Sequence, residues 1–402
     1  MKRLSSNVLL LAAALLLLSA SLEGASWFSR QAPKPGKTTL GEPSVIIPAQ
    51  IVSNYIIVST KWDKRGAYNF LIDTGASMTL ITPALAQRYG TPVRPLTPNG
   101  TTDVTVRSAE GDTTTLQQVS LRRLELGEAS FENIPALVYD CSSLSVHLGI
   151  HIDGILGFPL FRETVLTLDY PHRRILLTRP SSAGALQPGT VVPFNNDQRT
   201  PIIPLQLQGS TFYALIDTGS DSSLRLNPVG FGLVYEQEPR PGAIVSTLTG
   251  DTQQKVARLA QNITIGDQVL EKPIIELTDE LSAIGGAVLR NFILTFDQEH
   301  NRVTFYREQK TPVQSPTRRS SGFSVFKAGA YWRVVGVIPG SAAQKAGVEE
   351  GDLITRINEE PVELWGLERF NRLVSEQKSI TFSFLVGKRE YEIPLEVMDL
   401  VP

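Results

Sequence analysis

At roughly 150 residues per domain, a chain of 402 residues holds two or three domains, and 42% apolar with 19% charged residues suits a large packed core. The net charge of −2, without any long Lys/Arg block, gives no electrostatic basis for a nucleic-acid partner. Cys141 is the only cysteine, which excludes an intrachain disulfide and a cysteine-based zinc site within one chain.

In chain order, Lys2 and Arg3 precede an apolar run from Val8 to Leu18 and the small residues Ser19, Ala20 and Ser21. A charged start, a short apolar stretch and small residues predict a secretory signal peptide over residues 1–26, cleaved after Ser21 or Ser26. Retention as an uncleaved anchor is the alternative. The run falls short of the ~20 residues that a permanent transmembrane helix needs. Residues 27–44 are rich in Pro, Gly, Ser and Lys and read as a linker. From Val45 to Arg307 short β-branched runs alternate with Gly, Pro, Asn and Asp, as in Ile56-Ile57-Val58 and Val303-Thr304-Phe305-Tyr306, so this part is expected to be mainly β. A second linker is expected at 309–321, before a block of mixed strand and helix signals at 322–402.

The β region repeats itself. Leu71-Ile72-Asp73-Thr74-Gly75 returns as Leu215-Ile216-Asp217-Thr218-Gly219, at an offset of 144. Ile155-Leu156-Gly157 returns as Ala283-Ile284-Gly285, and Val165-Leu166-Thr167-Leu168-Asp169 as Ile293-Leu294-Thr295-Phe296-Asp297, both at an offset of 128. Two matched elements in the same order define a duplicated lobe, with the first lobe expected over 45–180 and the second over 181–308.

An apolar strand running into Asp-Thr-Gly places a carboxylate at the end of a buried strand. Gly permits the tight turn, and Thr can tie loops through side-chain bonds to backbone. A lone copy is commonly only a strand-ending turn. If the lobes pack about a pseudo-two-fold axis, Asp73 and Asp217 meet across it. Two carboxyls so placed cannot both ionise, so one retains a proton and the pair can divide acid and base roles.

The twin Asp-Thr-Gly, each followed by an apolar-apolar-Gly, resembles the retropepsin/pepsin group of aspartic proteases. Asp153-Gly154-Ile155-Leu156-Gly157 is similar to the pepsin-type segment, while the lack of disulfides is similar to the retroviral type. The resemblance implies a pseudo-two-fold, two-lobed acid-protease β fold and a catalytic pair, Asp73 and Asp217. It implies active-site loops holding Thr74, Gly75 and Ala76 on one side and Thr218, Gly219 and Ser220 on the other. Candidate flap hairpins lie about 35 residues after each Asp, around Glu110-Gly111 and Thr249-Gly250. In pepsin-type enzymes the position of Ala76 and Ser220 carries a hydroxyl that bonds the carboxylate. Asp73 would lack that bond, so the expected activity optimum is less acidic than pepsin's.

The four histidines, His147, His151, His172 and His300, form no ligand pair such as H-E-x-x-H, so no metal and no other cofactor is expected. Arg162 and Arg290 occupy equivalent sites, as candidates for bracing each lobe against an acidic group or, alternatively, as solvated surface arginines.

In the last block, Tyr331–Val337 reads as a strand, Ser341 as the N-cap of a short Ala-rich helix that Gly347 ends, and Leu364–Gln377 as a second helix before a final β pair. Pro339-Gly340-Ser341-Ala342-Ala343, Ala346-Gly347-Val348 and Gly351-Asp352-Leu353-Ile354 closely resemble bacterial-type PDZ domains. The resemblance implies an α+β PDZ domain over 322–402 that adds a peptide to a sheet edge, with Ser321, Gly322, Phe323 and Ser324 at the carboxylate-capturing loop. Ser321 departs from the apolar residue that the family prefers there.

Together these readings predict an exported, periplasmic or secreted aspartic-type endopeptidase. Its partners would be a protein or peptide substrate and a PDZ peptide ligand, and homodimerisation is not required because both lobes lie in one chain. The alternative is a catalytically inactive protease-like scaffold that binds peptides through its PDZ domain.

Overall fold

The structure, a computed structural model, describes residues 36–62, 64–93, 100, 102–108, 111–182, 188–246, 251–328 and 330–401. The signal segment therefore lies outside the described residues. Among those described, no helix is long and apolar enough to cross a membrane.

The chain is mainly β, as its alternating runs predict. The runs named above lie within the strands Tyr55–Trp62, Val165–Asp169 and Arg302–Tyr306. Each half contains a strand threaded between two others. Gly154–Gly157 runs parallel to Phe70–Asp73 and antiparallel to Leu80 and Ile81. Ser282–Ile284 does the same between Ala214–Ile216 and Leu224–Arg225. This threading explains the apolar-apolar-Gly element. Its apolar residues are buried on both faces, and its glycine abuts the Asp loop. A Cβ on Gly157 would stand 2.5 Å from the Met78 carbonyl, and one on Gly285 would stand 2.4 Å from that of Ser222.

The halves are joined by sheet as well as by packing. Val165–Asp169 pairs antiparallel with Ile293–Asp297, with Thr167 directly opposite Thr295. These are repeat equivalents, so the pseudo-two-fold axis passes between them, where their hydroxyls are hydrogen bonded at 3.1 Å. Arg174–Thr178 and Arg302–Tyr306 extend this shared sheet on either side. One hydrophobic core runs through both halves, including Phe158, Phe161 and Ile72 from the first and Phe292, Phe296 and Ile216 from the second.

The duplication also carries a repeated Asp-His-Arg trio, which a search for metal-ligand pairs among the histidines does not detect. Asp169 binds His172 Nδ1 and Arg174 Nε, each at 2.7 Å. At the offset of 128, Asp297 binds His300 Nδ1 at 2.8 Å and Arg302 Nε at 3.0 Å. Both trios brace the turn that follows the shared strand.

Both stretches read as linkers take part in sheets. Thr38–Leu40 pairs with Ala129–Phe131. Leu270 and Glu271 take up Val313 and Gln314, and Arg318–Ser320 pairs with Met398–Val401. Composition signals weak intrinsic preference, and edge pairing with an existing sheet overrides it. In the last block the helix is shorter than expected, Leu367–Glu376, because a 3-10 turn takes Val362–Leu364. Ser341 caps its helix by accepting from the Gln344 N–H at 3.1 Å. An apolar cluster of Val256, Ile274, Ile338, Leu400 and Val401 seats this block on the second half.

Burial raises the affinity of Asp297 for a proton, but bonds from His300 and Arg302 outweigh it and hold the carboxyl below its usual range. A carboxyl depressed by folding stabilises the protein above its unfolded value, and that stability is lost as pH falls through the folded value. Asp297→Asn should therefore lower Tm at pH 7, at a cost of about 1–3 kcal/mol. The deficit should shrink in melts recorded below about pH 4.

Candidate active site

The strands Arg65–Asp73 and Ser210–Ile216 lead into the two Asp-Thr-Gly loops, which the threaded strands press together at the centre of the molecule. Asp73, Thr74, Asp217 and Thr218 are all fully buried. The loops grip each other reciprocally. Thr74 Oγ1 donates to the Ile216 carbonyl at 2.5 Å and accepts from the Thr218 N–H at 3.1 Å. Thr218 Oγ1 donates to the Ile72 carbonyl at 2.9 Å and accepts from the Thr74 N–H at 3.0 Å. Threonine suits this task because a short hydroxyl can donate and accept at once.

The same loops hold both carboxylates. Asp73 Oδ1 accepts from the Gly75 and Ala76 N–H groups at 2.8 and 3.0 Å, and Asp217 Oδ1 accepts from Gly219 at 3.1 Å. The two meet at Gly75, where a Cβ would stand 2.8 Å from Asp217 Oδ1 and 3.3 Å from Asp73 Oδ1. Burial, then the neighbouring charge of Asp217, lifts the Asp73 carboxyl well above the ordinary range. Such a pair is built to hold a single proton between two carboxyls.

The expected hydroxyl asymmetry needs correction. Ser220 Oγ donates to Ser222 Oγ at 2.8 Å and accepts from the Ser222 N–H at 3.3 Å. Asp73, expected to be the less hydrogen-bonded carboxylate, takes two backbone N–H bonds, one of them from Ala76 itself. Backbone geometry supplies the bond for which the sequence reading sought a hydroxyl.

Other residues around the pair were not legible as functional. Tyr55 and Tyr170 are buried beside it, and burial, then neighbouring aspartates, pushes both phenols up. Arg225 Nη2 stands 3.9 Å from Asp217 Oδ2. The signal available in the sequence was an arginine inside an apolar strand, Leu224-Arg225-Leu226. Asn54 joins the halves by donating to the Asp221 carbonyl at 3.1 Å and accepting from Arg290 at 3.1 Å. Arg290 thus braces the site through an amide of the opposite half and not through an acid. Its equivalent, Arg162, lines a cavity of about 480 Å³ with Ser77, Pro159 and Arg199. Cys141 is a buried core residue whose thiol is pushed up to about 12, chiefly by burial.

Both candidate flaps are hairpins. Asp103–Arg107 pairs with Thr113–Leu126, and Arg240–Ser246 pairs with Asp251–Arg258. Gly111 turns the first at φ +89°, whereas Glu110, Thr249 and Gly250 lie outside the described residues. The first hairpin reaches the opposite half, where Arg107 Nη2 donates to both Glu280 carboxylate oxygens at 2.9 Å.

In the last block Ser321 and Phe323 are buried, and Ser324 is partly exposed. Gly322 has φ +91°; its N–H donates to Ser320 Oγ at 3.0 Å, and its carbonyl accepts from the Ile338 N–H at 2.8 Å. The strand Phe323–Ala328 stands at one end of its sheet, with Tyr331–Val337 on its inner side. The helix Ser142–Leu148 of the first half comes within 8 Å, Cα to Cα, of both that strand and the helix Leu367–Glu376.

The chain thus combines a duplicated β fold, with gripped Asp-Thr-Gly loops, and a small α+β block. Residues 58–160 match the family model described as aspartyl protease, which spans Asp73 but not Asp217. Residues 333–384 match the model described as PDZ domain. No curated protein matches the chain. An aspartyl protease-like domain is thus followed by a PDZ domain.

Thr74→Val and Thr218→Val should each destabilise the protein by about 1–3 kcal/mol in denaturant titrations, because each leaves a buried N–H and carbonyl unmatched. The double variant should cost less than the sum, since the two hydroxyls belong to one network. A carboxyl raised by folding contributes stability below its unfolded value, lost as pH rises through the folded value. Asp73→Asn keeps an acceptor for Gly75 and Ala76, and should raise Tm relative to the parent at pH 7, with the gain vanishing toward pH 4.

Proposed function

We propose that the protein is an exported aspartic-type endopeptidase in which Asp73 and Asp217 activate a water molecule against a peptide carbonyl. The observation that carries this reading is the pair of buried carboxyls bordering one point and held by reciprocal threonine bonds. An inactive relative has no need to keep both carboxyls buried at the cost of their desolvation. One carboxylate takes a proton from water, while its protonated partner donates to the carbonyl oxygen; no metal is required. The hairpins at Asp103–Leu126 and Arg240–Arg258 act as flaps over an extended substrate, and the Arg107–Glu280 pair holds the first against the second half. The PDZ domain takes a peptide along the strand Phe323–Ala328. The nearness of the helix Ser142–Leu148 to that strand supports a role in regulating access. Catalysis requires one chain, because both loops belong to it.

Digestion of casein or a peptide library over pH 3–8 tests this reading. Asp73→Asn and Asp217→Asn should each reduce turnover by at least about 10²-fold, the lower bound for a lost acid–base group. Cleavage that survives either change would remove the proposed pair.

A further inference from the structure

The two halves differ at one position beside the carboxyls. In the first half Leu80 lies opposite Ile155 of the threaded strand, and in the second Arg225 lies opposite Ala283. Ile155 and Ala283 are repeat equivalents, so Arg225 stands where the duplicated lobe has Leu80. Leu80 belongs to an apolar cluster with Tyr55, Leu71 and Ala76. Arg225 is only 7% exposed, yet its guanidinium comes to 3.9 Å of Asp217 Oδ2. Among the described residues no cation forms an ion pair with Asp73, whereas Arg225 does so with Asp217.

We propose that Arg225 is a positioning residue that keeps the negative charge of the pair on Asp217 and leaves the shared proton on Asp73. The inference rests on the dyad reading above. A fixed cation stabilises the nearer carboxylate, and the effect is strong where water is excluded. Several other groups near the pair do not favour a charge on Asp217. Asp73 opposes it with like charge; Tyr55 and Tyr170 are neutral phenols, and Asp221, which faces His147, is a second anion. Glu276 is the register partner of Arg225 on the adjoining strand and is engaged by Arg318 from the segment leading to the PDZ domain. Charge therefore alternates from Asp217 through Arg225 and Glu276 to Arg318. In the reaction Asp217 accepts the proton of the attacking water as the C–O bond forms. Asp73 delivers its proton to the carbonyl oxygen, giving a neutral gem-diol.

The test is a carboxyl ¹³C NMR titration of Asp217 in the Asp73→Asn protein, which needs no activity. With Arg225 present, the Asp217 midpoint should fall at or below the ordinary value of about 3.9, despite complete burial. Arg225→Met should raise it by about 1–3 pH units, and Arg225→Lys should restore most of the difference. A midpoint above the ordinary range with Arg225 in place, or one that Arg225→Met does not move, would overturn the proposal. With both aspartates present, Arg225→Met should shift both limbs of the pH–activity profile alkaline. If the parent protein cleaves nothing, the dyad reading fails while the titration still decides the placement of charge.

Discussion

The reciprocal bonding of Thr74 and Thr218 is the constraint from which the rest of the centre follows. Each hydroxyl satisfies one backbone donor and one backbone acceptor of the opposite loop, so neither loop is complete alone. Burying these polar groups is costly unless every one is matched, which fixes the relative position of the loops tightly. With the loops fixed, the carboxyls have nowhere to separate, and their mutual repulsion becomes a permanent property of the site. The glycines of the threaded strands serve the same end by letting one backbone lie directly against another.

Much of this was legible because duplication writes the same physics twice. The strings around Asp73 and Asp217, and the apolar-apolar-Gly element behind each, mark the paired loops in the sequence, while the threading of that element between two strands is visible only in the fold. The common offset of Val165–Asp169 and Ile293–Asp297 held further information that went unread. It makes Thr167 and Thr295 partners on the axis, and makes His172 and His300 members of one repeated ion-pair trio.

What the sequence hid depends on direction. Ser220 suggested a hydroxyl on its aspartate, but a side chain's identity does not say which neighbour it faces, and Ser222 lies closer to hand. Ala76 suggested a lost bond, yet its backbone N–H makes one. Arg225 interrupts an apolar strand, but the sheet register that brings it to Asp217 depends on partners dozens of residues away. The supposed linkers were misread for a related reason. Composition reports the preference of a segment in isolation, whereas Arg318–Ser320 and Val313–Gln314 are ordered by the strand edges they meet.

The sheet shared at Thr167 and Thr295 has a mechanical consequence. Two lobes connected only by a linker can swing apart like jaws, with the central site opening as they do. Here the strands of both halves are stitched by one continuous ladder, and any such swing would tear backbone hydrogen bonds. The joint between the two halves is therefore stiff. On the proposed reading entry depends on lifting the two hairpins, and the first is tied to the second half by the part-buried Arg107–Glu280 ion pair, which salt can loosen.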